Sequence, residues 1–367
     1  MQRNSGINDD RPMPGKFSSF TDPPVFLQTG FRTSGTWLWS RFRIDPAVMA
    51  FYEPLNEVLA TLSIDQLERM RPRDAGLHHP ALDEPYFAEF RPLLQGNPGG
   101  VRLFDKAFAL QGYFDPPAVP NRKLQRYLQG LIDLANEKER QPVLKFTRAL
   151  GRAAWLRRYF PAAIQIMLRR CPMEQFHSGW RLHQETGNPT FLMIPLYALS
   201  RAERGPLRRL CGLLDIPHIP SDIGLGECVG HYNDLARKLE IQTLIAAFLA
   251  MQLVAESLCE PHVDLVIEAS CLETAPMRRL LERSIQDITG FDIDLSGFVP
   301  VRSNAPVRLP AGTEDICRQI CMILKAEHPA AARRLRDMID VPHRMQDRPP
   351  SQARAELSTG AVTGASF

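Results

Sequence analysis

A short apolar run, Val25-Phe26-Leu27, follows Pro23-Pro24. It breaks at Gly30 and turns polar through Arg32, Thr33, Ser34, Gly35 and Thr36, and then Trp37, Leu38 and Trp39 resume it. This pattern predicts a buried strand, a glycine-bearing loop and the start of a helix. No other stretch restricts the fold as much, because a strand feeding a helix through a tight loop belongs to a layered α/β arrangement. Backbone N–H groups at a helix N-terminus converge on one spot, and the helix dipole favours an anion there. Gly30 and Gly35 let the main chain come close, and the hydroxyls of Thr33, Ser34 and Thr36 add donors.

Gly30 and Gly35 stand at the G-x-x-x-x-G spacing of a nucleoside-triphosphate loop, but Thr36-Trp37 occupies the place of the Lys-Ser/Thr pair. That lysine would reach the β- and γ-phosphates, and the hydroxyl would hold Mg²⁺. A loop without the lysine suits a ligand with one phosphate and a weakly charged group beyond it. Glycine and hydroxyl residues between strand and helix also form an ordinary turn, and both readings stand at this point.

The apolar run 48–52 predicts a second strand, followed by Glu53-Pro54 and Glu57. Strand ends feed the ligand crevice of a parallel sheet, so Glu53 and Glu57 are expected at the same rim as the glycine loop. Helical pieces are expected at 55–62, 64–69 and 86–94, a short strand within 101–108, and an irregular insertion near 70–120 that could carry an acceptor site. An amphipathic pattern predicts a helix over 122–138. Pro142 to Thr147 reads as a core strand, 153–159 as a helix and 162–168 as another strand. Strand, helix and strand with short connections make a parallel βαβ unit. Arg169-Arg170-Cys171-Pro172 leaves that strand, and a helix starts over 173–181. Beyond it, helices are expected at 200–213, 234–258, 274–288 and 313–325, with a strand at 263–268.

The 367 residues suffice for one large α/β domain over 23–340, flanked by tails at 1–22 and 341–367 whose composition predicts disorder. A formal charge of +3 gives no polyanion-binding field, so no nucleic-acid partner is expected. The seven cysteines are odd in number and form no C-x-x-C pair, which reads as a reduced, cytoplasmic chain without a zinc site. The apolar stretch 241–258 is interrupted by Gln242, Gln252 and Glu256, so it is expected to be a buried helix rather than a transmembrane segment. The sequence does not give the oligomeric state.

Two blocks together carry a resemblance. The loop Gly30-Phe31-Arg32-Thr33-Ser34-Gly35-Thr36 resembles the 5′-phosphosulfate loop of sulfotransferases. The segment from Trp155 through Phe160-Pro161 and Arg170-Cys171-Pro172 to Ser178 is similar to their 3′-phosphate segment. A weaker likeness runs from Val266-Ile267-Glu268 to Pro276. The resemblance implies a P-loop type three-layer fold, with a central parallel sheet flanked by helices. It implies 3′-phosphoadenosine 5′-phosphosulfate as co-substrate, with no metal. Gly30, Arg32, Thr33, Ser34, Gly35, Thr36 and Trp37 would surround the 5′ side, and Arg170 and Ser178 would hold the 3′-phosphate.

Family members often place a cation directly before the Ser-Gly-Thr triplet, where this chain has Thr33. Arg32, Lys145 or Lys106 could supply that charge instead. By the same resemblance Glu53 is the candidate base, if burial raises its pKa, and the acceptor is a hydroxyl on a carbohydrate or glycolipid-like molecule. Bland readings stand beside these: Glu53 paired to an arginine, Lys145 in a sheet-edge salt bridge, Arg148 and Arg152 solvated at a helix start. The function expected is sulfuryl transfer. A non-catalytic 3′,5′-nucleotide binder and a nucleoside-phosphate kinase are the alternatives.

Overall fold

A computed structural model describes residues 22–70, 80, 82–96, 99–202, 205–218, 225–299 and 309–340. Both tails read as disordered lie outside the described residues, apart from Asp22. The chain folds around a five-stranded parallel sheet made of β1 (Val25–Thr29), β2 (Val48–Tyr52), β3 (Gln141–Phe146), β4 (Ile164–Arg169) and β5 (Leu265–Glu268), in the order β2-β3-β1-β4-β5. β1, β2 and β3 are buried along their whole length. A parallel sheet covered on both faces requires this, and it explains why these strands read as continuous apolar runs rather than alternating ones.

Twelve helices surround the sheet among the described residues: α1 (Gly35–Arg43), α2 (Ile64–Arg69), α3 (Arg122–Glu137), α4 (Ala153–Tyr159), α5 (Pro172–Thr186), α6 (Thr190–Ser200), α7 (Gly205–Leu213), α8 (Leu225–Lys238), α9 (Ile241–Cys259), α10 (Ala275–Thr289), α11 (Thr313–Leu324) and α12 (Pro329–Asp340). Two cores result. One holds Phe26, Phe51 and Leu144 of the sheet with Leu38 of α1 and Leu128 of α3. The other is helical and centres on α9, with Phe176, Tyr197, Phe248 and Leu335. β4 joins them, because its side chains alternate: Ile166 and Leu168 enter the first core and Met167 the second.

Several expectations need correction. Residues 101–108 form no strand. Val101 makes one isolated bridge to Leu94, and Lys106–Phe108 is a 3₁₀ turn. The helix expected at 86–94 is a 3₁₀ segment, Ala88–Leu93, with Pro92 inside it. The span 234–258 is two helices, α8 and α9, separated at Leu239-Glu240. α6 was not anticipated: Pro189 and Pro195 disguise it, and its side chains are buried almost without exception, so no amphipathic stripe marks it. Ile241–His262 is long and apolar enough to cross a membrane, and 72% of its most apolar window is buried within the fold.

The strand order sets the position of any ligand site. The chain leaves β1 toward β2 on one side, and leaves β3 toward β4 on the other, passing β1. The connections therefore diverge between the carboxyl ends of β1 and β3, which is where open parallel sheets bind ligands.

Candidate functional site

A cavity of ≈ 500 Å³ opens at those carboxyl ends. Of the residues expected around a nucleotide or at a transfer centre, all but Lys106 line it: the loop Gly30–Trp37, Glu53, Lys145, Arg170 and Ser178. Each strand ends at the point where its functional residue begins. Glu53 follows β2, Thr147 follows β3, Gly30 follows β1 and Arg170 follows β4.

The loop is built from below. A Cβ on Gly35 would lie 2.6 Å from Cβ of Thr29, and one on Gly30 would lie 2.7 Å from Nε2 of Gln252. Gly35 is thus demanded by the Thr29 side chain beneath it, whereas a side chain at Gly30 would displace the end of Gln252. The left-handed backbone of the loop falls instead on Arg32 (φ 61°) and Ser34 (φ 70°), and a third such residue, Glu53 (φ 46°), lines the same cavity. Strained backbone of this kind costs free energy and gathers at functional sites. Ser34 is the N-cap of α1 and its side chain makes no cap bond, so the first-turn N–H groups, which have no intrahelical acceptor, receive none from it. Thr33 is buried, and its hydroxyl donates to the carbonyl of Gly30 at 2.9 Å.

Two groups of charge flank the loop. On one side Arg32 Nε donates to Ser178 Oγ at 3.0 Å, and Arg170 Nη1 donates to the carbonyl of Arg32 at 3.2 Å. Arg170 Nε also donates to Glu174 Oε2 at 2.9 Å. Burial, and then the neighbouring charges of Arg170 and Arg181, hold the Arg32 pKa below its ordinary value. Two mutually repulsive, partly desolvated guanidinium groups beside a hydroxyl are chemically able to receive an anion. Arg32 joins this group, and Tyr52 on the other flank also acts on its charge.

On the other side the register places Tyr52 opposite Lys145, and Glu53 extends the pairing by donating its N–H to the carbonyl of Lys145 at 3.0 Å. The Glu53 carboxylate accepts from Lys145 Nζ and Thr147 Oγ1, and its second oxygen accepts from Arg148 Nη1 at 3.3 Å. Arg148 Nη2 lies 3.1 Å from Glu57 Oε2. Lys145 Nζ also sits 4.8 Å from the centre of the Tyr52 ring, and the Tyr52 hydroxyl is 3.2 Å from Thr36 Oγ1.

Burial pushes the Glu53 pKa up, but the charges of Lys145 and Arg148 with the bonds from Lys145 and Thr147 outweigh it and hold the carboxyl below its ordinary value. The raised pKa expected of a base is therefore absent from this state. Burial lowers the Lys145 pKa, against the opposing effect of Glu53.

β3 is an interior strand, so the pairing of Lys145 is no edge salt bridge. Arg148 and Arg152 are not solvated either. Both are buried, and Arg152 donates to the carbonyls of Phe108, Gln111 and Gly112. Lys106, the other cation considered, lies in its 3₁₀ turn and does not line the cavity.

Among the lining residues not chosen as site members are Tyr52, Thr147 and Arg148, the last weighed as an approach to the 3′-phosphate and set aside as a solvated arginine. Their signal was positional, since each sits within two residues of a strand end already identified. Trp37, expected at the nucleotide, is half-buried and meets Phe298 edge-on at 4.9 Å. Among the described residues no three His, Cys, Asp or Glu side chains converge as a metal site. No protein-family model, no characterised protein and no solved structure matches the chain.

Proposed function

We propose that the chain is a sulfotransferase of P-loop type that moves the sulfuryl group of 3′-phosphoadenosine 5′-phosphosulfate to an acceptor hydroxyl. One observation carries this reading. A single cavity holds the uncapped helix start and loop, the Arg32–Arg170–Ser178 group on one flank and the Lys145–Glu53 pair on the other. These parts fit a ligand with a bridged 5′ group and a separate phosphate. Loop N–H groups would take the 5′-phosphate, and Arg170 with Ser178 would take the 3′-phosphate. Arg32 would join that clamp, and Lys145 would face the sulfonate.

In the reaction the acceptor oxygen attacks sulfur and a new S–O bond forms. The bond from sulfur to the oxygen of the 5′-phosphate breaks, and 3′-phosphoadenosine 5′-phosphate departs with its electron pair. Charge builds on the sulfonate and bridging oxygens, so positioned cations supply most of the stabilisation. The transferred group carries less negative charge than the γ-phosphoryl of ATP, so the reaction does not require a metal ion.

The hydroxyl proton goes to Glu53. While Lys145 and Arg148 hold it, that carboxylate is a weak base. When the Lys145 ammonium turns to the sulfonate, Glu53 loses a partner in a buried site and its basicity rises.

A second reading, a non-catalytic binder of the same nucleotide, is favoured by Thr33, whose hydroxyl is engaged within the loop and which brings no charge to it. Calorimetry with 3′-phosphoadenosine 5′-phosphate in EDTA, on wild type and Arg170→Ala, tests the site that both readings share. We expect metal-free binding, weakened about 10- to 100-fold in the variant, the range set by roughly 1.5–3 kcal/mol for a charge-assisted hydrogen bond. Folded wild type that ignores this nucleotide and binds ATP with Mg²⁺ would overturn the assignment in favour of a kinase. Release of the nucleotide product from the sulfated donor then separates enzyme from binder.

A further inference from the structure

We propose that Gln175 is a positioning residue: it holds the loop after β1 at a fixed distance from the Arg170–Ser178 group, so that one nucleotide can engage both. This inference rests on the sulfotransferase reading, which requires the 5′- and 3′-phosphates of a single ligand to be bound at once. Such a ligand is bivalent. Its second phosphate meets its receptor at a high effective concentration only while the two receptors stand at the right separation, and the gain is lost when they do not.

The sheet fixes that separation only in part. The ladder joining β1 to β4 ends at Thr29 and Leu168. Gly30 and Arg170 lie just beyond it, where one main chain enters the loop and the other turns toward α5. Gln175 bridges this gap. It is fully buried on α5, and its Nε2 donates to the carbonyl of Arg170 at 2.9 Å. A carbonyl can only accept, so the amide nitrogen must face Arg170. The other end of the amide, Oε1, lies 3.2 Å from where a Cβ on Gly30 would stand, which puts it against the start of the loop. Gln252 of α9 meets the same glycine and is itself held to Glu256 at 2.7 Å, so Gly30 is packed from two helices.

Two other contacts cross from the loop to this segment: Arg32 Nε to Ser178 Oγ, and Arg170 Nη1 to the carbonyl of Arg32. Both use guanidinium groups that the nucleotide itself would claim, so phosphate competes with them. Gln175 is uncharged and is not among the residues lining the cavity, so its contacts persist when the site fills. The same helix carries Glu174, which accepts from Arg170 Nε, and Ser178, one turn beyond Glu174. A shift of α5 would therefore move the whole 3′ receptor, and Gln175 ties that helix to the loop from below.

The test uses the full chain and calorimetry with three ligands: 3′-phosphoadenosine 5′-phosphate, adenosine 5′-phosphate and adenosine 3′-phosphate. Wild type is compared with Gln175→Met, which keeps the length of the side chain and removes both polar ends. We expect the bisphosphate to lose about 10-fold or more in affinity and each monophosphate less than about 3-fold, because each receptor survives and only their spacing is relaxed. With Arg170→Ala already present, Gln175→Met should cost the bisphosphate less than about 2-fold, since no second receptor is left to be spaced. Gln175→Asn keeps the amide but is too short to reach both ends, and it should behave as Gln175→Met does. Equal losses for all three ligands, an unchanged bisphosphate affinity in a folded variant, or a loss that adds fully to that of Arg170→Ala overturns the positioning role and leaves the nucleotide site standing. If neither variant folds, Gln175 is a part of the core and the positioning role falls as well. Failure of wild type to bind the bisphosphate overturns the functional reading itself, and this inference with it.

Discussion

Glu53 is asked to satisfy two buried cations from a backbone that no side chain prefers. Its φ of 46° is tolerated because β2 pairing and the Lys145–Thr147–Arg148 cluster hold it from both sides. Glu53→Gln removes the charge and leaves Lys145 and Arg148 desolvated together. Breaking a buried pair in this way costs roughly 3–5 kcal/mol, and chemical denaturation should show it. A second change, Lys145→Met, should return part of that loss, because it removes one orphaned cation.

The acid limb of stability carries the same signature. The folded carboxyl titrates below its ordinary value of 4.5, so its contribution is complete above that pH and drains away as pH falls through the folded pKa. Thermal melts of Glu53→Gln should lack this acid loss. The sequence showed Glu53 and Lys145 as separate candidates. It could not show that they touch, nor that Arg148 joins them, because cross-strand register between residues so far apart is set only by the assembled sheet.

At the scale of elements, the loop and α1 depend on what lies under them. Gly35 closes on Thr29, whose hydroxyl donates to the carbonyl of Phe146 at 3.0 Å and so fastens β1 to β3 below the loop. Gly35→Ala must displace either the helix start or this bond. We expect a loss of about 1–3 kcal/mol, the usual cost of overpacking, and weaker nucleotide binding than that loss alone explains. Calorimetry at a temperature where the variant remains folded measures the second effect.

The strands were legible because each is a bounded apolar run, and α3 because its stripe repeats at helical period. α6 was hidden because a helix buried on every side has no stripe to read, and its internal proline reads as a break. The segment 101–108 misled in the opposite sense. Val101, Phe104 and Phe108 pack on the core without joining the sheet, and short runs do not reveal which they will do.

Across the whole molecule, the sheet and the helical lobe meet at a buried polar seam. Gln252 of α9 lies beneath Gly30 and donates from Nε2 to Glu256 Oε1 at 2.7 Å, and Glu256 pairs with Arg334 of α12. The loop after β1 is thus connected through two side chains to α12. Arg334→Ala leaves the fully buried Glu256 without its counter-ion. The expected cost is roughly 3 kcal/mol, at the low end for a broken buried pair because Arg334 keeps some solvent. Hydrogen exchange should speed up across α12 and α9 before it does so in β1.

The strand order also has a consequence for biosynthesis. β1 lies between β3 and β4, so this strand, once it has left the ribosome, meets neither neighbour until residues 141–146 and then 164–169 have followed it. β2, emerging early, pairs with β3 alone and waits as well. At ordinary translation rates that interval is on the order of ten seconds, during which the most apolar segments of the nascent chain have no sheet to enter. Of the five strands, the one that positions the loop is made earliest and secured late.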